Sequence, residues 1–244
     1  MKSSFLCIIL IYSSILLVLS SCGNERNNQS QGAQVQQETA EKKGDFNILF
    51  ENDYAKVVKI SLAPGESQPT HDGETRVIYS LTDYSIDWVE KGEDLGTKTW
   101  KKGEVHYHEA GKHAAKNNGT TTAEWLAFVK KNTDLPECGE NQIANDINSV
   151  SPEFANVLLD NDEFKVTEVT LSINSNIPMH SGINRMIYSL SDYQIIYEST
   201  KEGKVEKQFK SGDIHWHEAC QHRLENIGET EAKYLVVSYK RKEQ

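Results

Sequence analysis

The sequence predicts an all-β protein built from two tandem copies of one domain, and three observations carry that expectation. The chain has eight histidines, and they form two matching sets. His71, His106, His108 and His113 recur as His180, His215, His217 and His222, each 109 positions later. The same offset runs without a gap from Lys56/Lys165 to Leu126/Leu235, carrying Pro69/Pro178, Gly73/Gly182, Arg76/Arg185, Gly103/Gly212, Asn117/Asn226 and Gly119/Gly228. Repetition at constant spacing is the mark of an internal duplication. Within each copy, short runs rich in β-branched and aromatic residues are punctuated by Gly, Pro, Asn and Asp, and no long stretch has the 3.6-residue apolar period of a helix. Many short strands at regular intervals read as a sandwich or barrel.

The elements follow in order. Residues 1–21 carry Lys2, an apolar run from Phe5 to Leu19, and a small-residue end before Cys22, the plan of an export signal. The apolar run is shorter than the roughly 20 residues a spanning helix needs. Leu19-Ser20-Ser21-Cys22 resembles a bacterial lipobox, which implies a lipidated Cys22 and a chain held at the membrane of the cell envelope. Residues 22–45 are polar and poor in apolar side chains, which suits a flexible tether. Copy one occupies 46–131, a linker of turn-forming residues 132–152, and copy two 153–244. Strands are expected at Lys56–Leu62, Val77–Leu81, Tyr84–Val89, Gly103–His108 and Trp125–Val129, with counterparts in the second copy.

Charge and cysteine usage narrow the field. The formal charge is −10 over the whole chain, and loss of Lys2 with the leader makes it −11. Such a balance disfavours nucleic acid, whose binding needs a basic face. Once Cys7 leaves and Cys22 is lipidated, Cys138 and Cys220 remain, and an exported protein can pair them; two isolated cysteines without a spacing motif leave that open.

The segment from Pro64 to His71 is similar to the first motif of the cupin family, and Gly103-Glu104-Val105-His106-Tyr107-His108 through Asn117 is similar to the second. Copy two repeats the second motif from Gly212 to Asn226. The chain therefore resembles a two-domain cupin across nearly all of its length after the tether. The resemblance implies two jelly-roll barrels, each with its site inside, packed on each other as cupin subunits pack. It also implies a metal set of three histidines and a glutamate, from which this sequence departs. Pro69 and Pro178 stand where the first histidine is expected, and Arg76 and Arg185 where the glutamate is expected.

Candidate site residues follow. His71, His106, His108 and His113, with His180, His215, His217 and His222, supply imidazoles for a divalent transition metal of unassigned identity. Alternation along a strand puts His106 and His108 on one face, but Val105 and Tyr107 suit a barrel interior equally, so the face stays open. Arg76 and Arg185 can grip an anionic ligand or pair internally with Glu109 and Glu218; internal pairing is favoured, since buried charges usually find protein partners. Glu109 and Glu218 are alternatively ligand-binding or acid–base groups. Asn117 and Asn226 fit turns better than sites.

Three functions are compatible with these residues. The preferred one is an envelope protein that binds a small anionic molecule in one or both barrels, with or without a divalent metal. The second is a metal-dependent enzyme of dioxygenase or isomerase type, disfavoured by the missing glutamate. The third is an envelope scaffold, disfavoured by the duplicated imidazoles.

Overall fold

A computed structural model describes residues 43–139 and 145–241. The expected leader, the Cys22 lipidation site and most of the tether lie outside these residues. No helix among the described residues is long and apolar enough to cross a membrane.

Copy one folds into Asp45–Glu51 (β1), Ala55–Leu62 (β2), Ser67–Gly73 (β3), Arg76–Ser80 (β4), Tyr84–Glu90 (β5), Glu93–Trp100 (β6), Val105–His108 (β7), Gly111–Asn117 (β8) and Ala123–Lys130 (β9). Copy two follows with Ala155–Asp160 (β10), Phe164–Leu171 (β11), Asn176–Gly182 (β12), Arg185–Ser189 (β13), Tyr193–Ser199 (β14), Gly203–Phe209 (β15), Ile214–His217 (β16), Cys220–Asn226 (β17) and Ala232–Tyr239 (β18). The first copy pairs these as a five-stranded sheet in the order β1-β2-β9-β4-β7 and a four-stranded sheet in the order β3-β8-β5-β6. The second copy repeats both, as β10-β11-β18-β13-β16 and β12-β17-β14-β15. Each copy is thus a jelly-roll barrel of two antiparallel sheets.

The five-stranded sheets are apolar on both faces, and this explains their composition. Along β9, Trp125 and Ala127 point into their own barrel, while Leu126 and Phe128 join a core shared with the other copy. That shared core also holds Val57, Val77, Tyr79, Phe164, Val166, Met186, Leu235, Val237 and Tyr239. The contact is reciprocal: β7 touches β10 and β16 touches β1. Tyr107 reaches Phe164 at 6.2 Å between ring centroids, and Trp216 stacks on Tyr54 at 6.0 Å. Such exchange is what a two-fold relation between like surfaces produces.

Asn117 and Asn226 act as turn latches. Each is fully buried, and its Nδ2 donates to two carbonyls, Leu62 and Thr121 in copy one and Leu171 and Thr230 in copy two, at 2.8–3.0 Å. The linker carries one helical turn, Ile147–Val150 (α1), capped by Asp146. It is fastened to the second barrel by a Cys138–Cys220 disulfide and by Asn184 Nδ2 donating to the Pro136 carbonyl at 2.7 Å.

Candidate functional site

The two sheets of each barrel bring different parts of the histidine set to one interior. The four-stranded sheet of copy one pairs His71 with His113 across β3 and β8; the five-stranded sheet pairs Arg76 with His108 and Ile78 with His106 across β4 and β7. The second copy reproduces this as His180 with His222 and Arg185 with His217. His106, His108, His215 and His217 face the barrel interiors, because Val105, Tyr107, Ile214 and Trp216 on the opposite face pack into the core between the copies. The choice left open by alternation is settled by the barrel–barrel contact, which a single copy of the sequence does not display.

The imidazoles are close-set. Ring centroids lie 4.1 Å apart for His71–His113 and for His180–His222, and 5.0 and 4.9 Å apart for His106–His108 and His215–His217. Nδ1 of His71, His113, His180 and His222 faces the carbonyl two residues earlier, at 2.8–3.4 Å. The tautomer this favours has the proton on Nδ1, leaving Nε2 as the acceptor. In copy two that acceptor is used: Arg185 Nη2 lies 3.1 Å from His222 Nε2. Arg185 Nη1 donates to the carbonyls of Ile183 at 3.1 Å and Glu218 at 3.4 Å. Gly73 and Gly182 make this approach possible, since a Cβ at Gly182 would stand 2.5 Å from Arg185 Nη1 and 2.7 Å from His222 Cε1, and one at Gly73 would likewise strike His113 and Arg76.

Burial sets the electrostatics. Loss of hydration, then the neighbouring guanidinium, pushes His106 and His113 down to about 4. Burial also pushes His180 and His215 down to about 4, His108 to about 3 and His217 to about 2, and holds His222 well below the ordinary range. These seven rings are neutral at pH 7. Arg76 is lowered to about 10 by burial, partly offset by Glu90. Burial lowers Arg185 as well, partly offset by Tyr197, with which it hydrogen-bonds, and by Tyr234 and Glu202; position 199, the counterpart of Glu90, is a serine.

The expected internal pairs do not form. Glu109 lies on the surface with Lys91 at 3.2 Å, and Glu218 with Lys201 at 2.8 Å. The reason is register: both acids fall in the turn after β7 or β16, beyond the last interior position, beside a lysine from the turn after β5 or β14. Glu109 and Glu218 are therefore removed from the site as side chains. Among the described residues no carboxylate forms an ion pair with Arg76 or Arg185.

The cavities differ between copies. The first barrel encloses about 150 Å³, lined by Trp88, Trp100, Trp125 and the histidines, with Phe46 and Glu74 at its mouth. The second encloses about 780 Å³ and extends under linker residues Pro136, Cys138, Asp146 and Asn148. Tyr197, Phe209 and Tyr234 replace the three tryptophans, but Leu224 and Val236 replace Ala115 and Ala127, so interior bulk is nearly conserved. The larger chamber reaches the linker, and Phe46, which lines the first cavity, has Ala155 as its counterpart. Lys165, Arg185, Lys207, Lys240 and Arg241 line the larger chamber against Glu137, Asp146 and Asp160, two net positive charges in a chain of −10. Lys165, Lys240, Arg241 and Lys207 each have an acidic partner, which leaves Arg185 the cation in no ion pair among the described lining residues. The linker's share in the site was missed from sequence; the signal available was Cys138, a lone cysteine preceding the second copy.

The side chains present do not fit a cupin metal. A guanidinium holds the position expected for the carboxylate ligand and occupies the His222 lone pair that a metal would need. No group of three or more His, Cys, Asp or Glu side chains among the described residues is arranged to hold an ion.

No family model matches the chain, and no curated protein matches it. Solved structures do. A variant of oxalate decarboxylase from Bacillus subtilis is similar over 82% of this chain and 74% of its own, with a TM-score of 0.61 at 13% identity. A study of the Mn(II) centres of that Bacillus subtilis enzyme gives a TM-score of 0.61 at 12% identity, over 84% of this chain and 75% of that one. AerE from Microcystis aeruginosa is similar over 83% of this chain and 95% of its own, with a TM-score of 0.61 at 13% identity. The likeness spans both barrels, and the fold is that of a two-domain cupin.

Proposed function

We propose that this bicupin is a lipid-anchored envelope protein that captures a small organic anion in its second barrel, through a guanidinium and imidazole cage in place of a metal. The observation that carries the reading is Arg185, 3% exposed, beside His222 on the wall of a chamber of about 780 Å³, in no ion pair among the described residues. A buried cation without a counterion is costly, and a bound carboxylate supplies both the charge and the second acceptor that a guanidinium fork accommodates. The neutral imidazoles around it donate or accept without competing for the anion's charge. The Cys138–Cys220 disulfide supports an oxidising compartment, in keeping with export and anchoring through Cys22.

The chain's residues would bind and orient; no proton transfer is required of them. The test is calorimetry on the purified full-length protein with acetate and oxalate, together with metal analysis. Binding of either anion that is lost in Arg185→Gln supports the reading. Binding of neither overturns it. Two tightly held transition-metal ions per chain would replace it with the metal-dependent enzyme reading.

A further inference from the structure

The two barrels share the same cage but not the same room, and the difference points to the kind of anion the second one takes. We propose that the second barrel selects an arylcarboxylate, an anion carrying a flat aromatic body, over a bare small anion. This rests on the anion reading and specifies its ligand.

The chamber has two chemical zones. At one end Arg185 and His222 form the charged grip. Part of the remaining barrel wall is apolar and aromatic, with Ile195, Phe209, Leu224 and Tyr234 among its lining. A two-carbon anion at Arg185 leaves that wall in contact with water. A ring attached to the same carboxylate covers it, and removal of apolar surface from water is the main source of added affinity in such pockets. In the first barrel the larger Trp88 stands somewhat closer to the histidines, 4.7 Å from His108 and 5.1 Å from His113 between ring centroids against 5.1 and 5.7 Å for Tyr197 from His217 and His222, and the cavity is about 150 Å³. That volume takes a small anion or a bare ring, but not a ring together with a carboxylate arm and a further polar group.

A second, independent observation lies at the wall. The hydroxyl of Tyr234 and Nδ1 of His215 are buried without a hydrogen-bond partner, and both residues line the chamber. Buried polar atoms are nearly always paired, so an orphan in a ligand chamber marks where a ligand group completes the bond. The position of Tyr234 is held in the first copy by Trp125, which offers no hydroxyl. A ring bearing a hydroxyl or carbonyl away from its carboxylate satisfies both ends.

The probe is 4-hydroxyphenylacetate, titrated into the full-length protein by calorimetry beside acetate. The expected result is one equivalent per chain, bound at least roughly tenfold tighter than acetate, as burial of a ring's apolar surface implies, and lost in Arg185→Gln. Equal affinity for the two anions overturns the selectivity while leaving the anion reading intact. Undiminished arylcarboxylate binding by folded Arg185→Gln, or two equivalents per chain, also overturns it. Binding of neither anion removes both readings. If the variant fails to fold, the ratio and stoichiometry of the unmodified protein decide.

Discussion

Replacing the barrel arginines with methionine should stabilise the ligand-free protein, and the size of the gain can be worked from Arg76. Its side chain is 6% exposed, and burial lowers it from 12.5 to about 10. At 1.36 kcal/mol per pKa unit, that depression corresponds to a penalty of about 3 kcal/mol for keeping the charge inside the fold. Methionine removes the charge and retains most of the packing volume. It also removes the 2.9 Å bond from Nη1 to the Glu74 carbonyl, a loss of about 1 kcal/mol. The net expectation for Arg76→Met is a gain of about 2 kcal/mol, or roughly 4–8 °C in the melting midpoint at this size. Arg185→Met should also gain from the charge, since Arg185 is more deeply buried, less the bonds to Ile183, Glu218, His222 and Tyr197. Gain of stability with loss of anion binding is the pattern of a charge retained for function. Calorimetric melts of the three proteins without added anion provide the assay. If both variants melt below the unmodified protein, the guanidinium is a structural cross-link and its charge no longer argues for a ligand.

Three further outcomes follow from the same geometry. Because the interior imidazoles have folded pKa values of about 2–4 against about 6.5 unfolded, stability should be full above pH 6.5 and fall as pH drops towards 4, each ring contributing up to about 1.4 kcal/mol per pH unit; an acid-unfolding midpoint below pH 3 would contradict this burial. Arg76→Glu should create Mn²⁺ affinity beside His108 and His113, read by electron paramagnetic resonance, and no bound-manganese signal would show that the imidazoles lack ligand geometry. Cys220→Ser should destabilise the protein by roughly 2–4 kcal/mol, given the 82-residue separation it closes, and weaken anion binding by loosening the linker over the chamber; an unchanged melt would deny the linker that role.

The fold was legible because duplication doubles every weak signal. The five strands expected from β-branched and aromatic runs correspond to β2, β4, β5, β7 and β9. The rest were hidden for separate physical reasons. β3 reads Ser-Gln-Pro-Thr-His-Asp-Gly, with a proline tolerated because the strand lies at a sheet edge. β6 is exposed almost throughout and contains Gly96, so it shows neither alternation nor β propensity. β8 draws its strand character from neighbours on both sides rather than from Lys112, Ala114 and Ala115. In each case the ladder, not the local residues, decides the conformation.

The site was legible in its members and not in its logic. Constant spacing identified eight histidines and two arginines, and all line the interiors. What spacing does not carry is compensation: whether a buried cation has an acid within reach. Glu109 is close to Arg76's partner strand in sequence, yet the turn carries it outside to Lys91. Glu90 is the acid that moderates Arg76; its counterpart is Ser199, and the acid that acts on Arg185 is Glu202. The duplication therefore held two copies of a cage while letting one residue beside each diverge. The same drift appears at the cavities: Phe46 lines the first and has Ala155 as its counterpart, while the disulfide-fastened linker lines the second. A buried guanidinium in no ion pair and an enlarged chamber occur in the same copy, the arrangement that the proposed anion would fill.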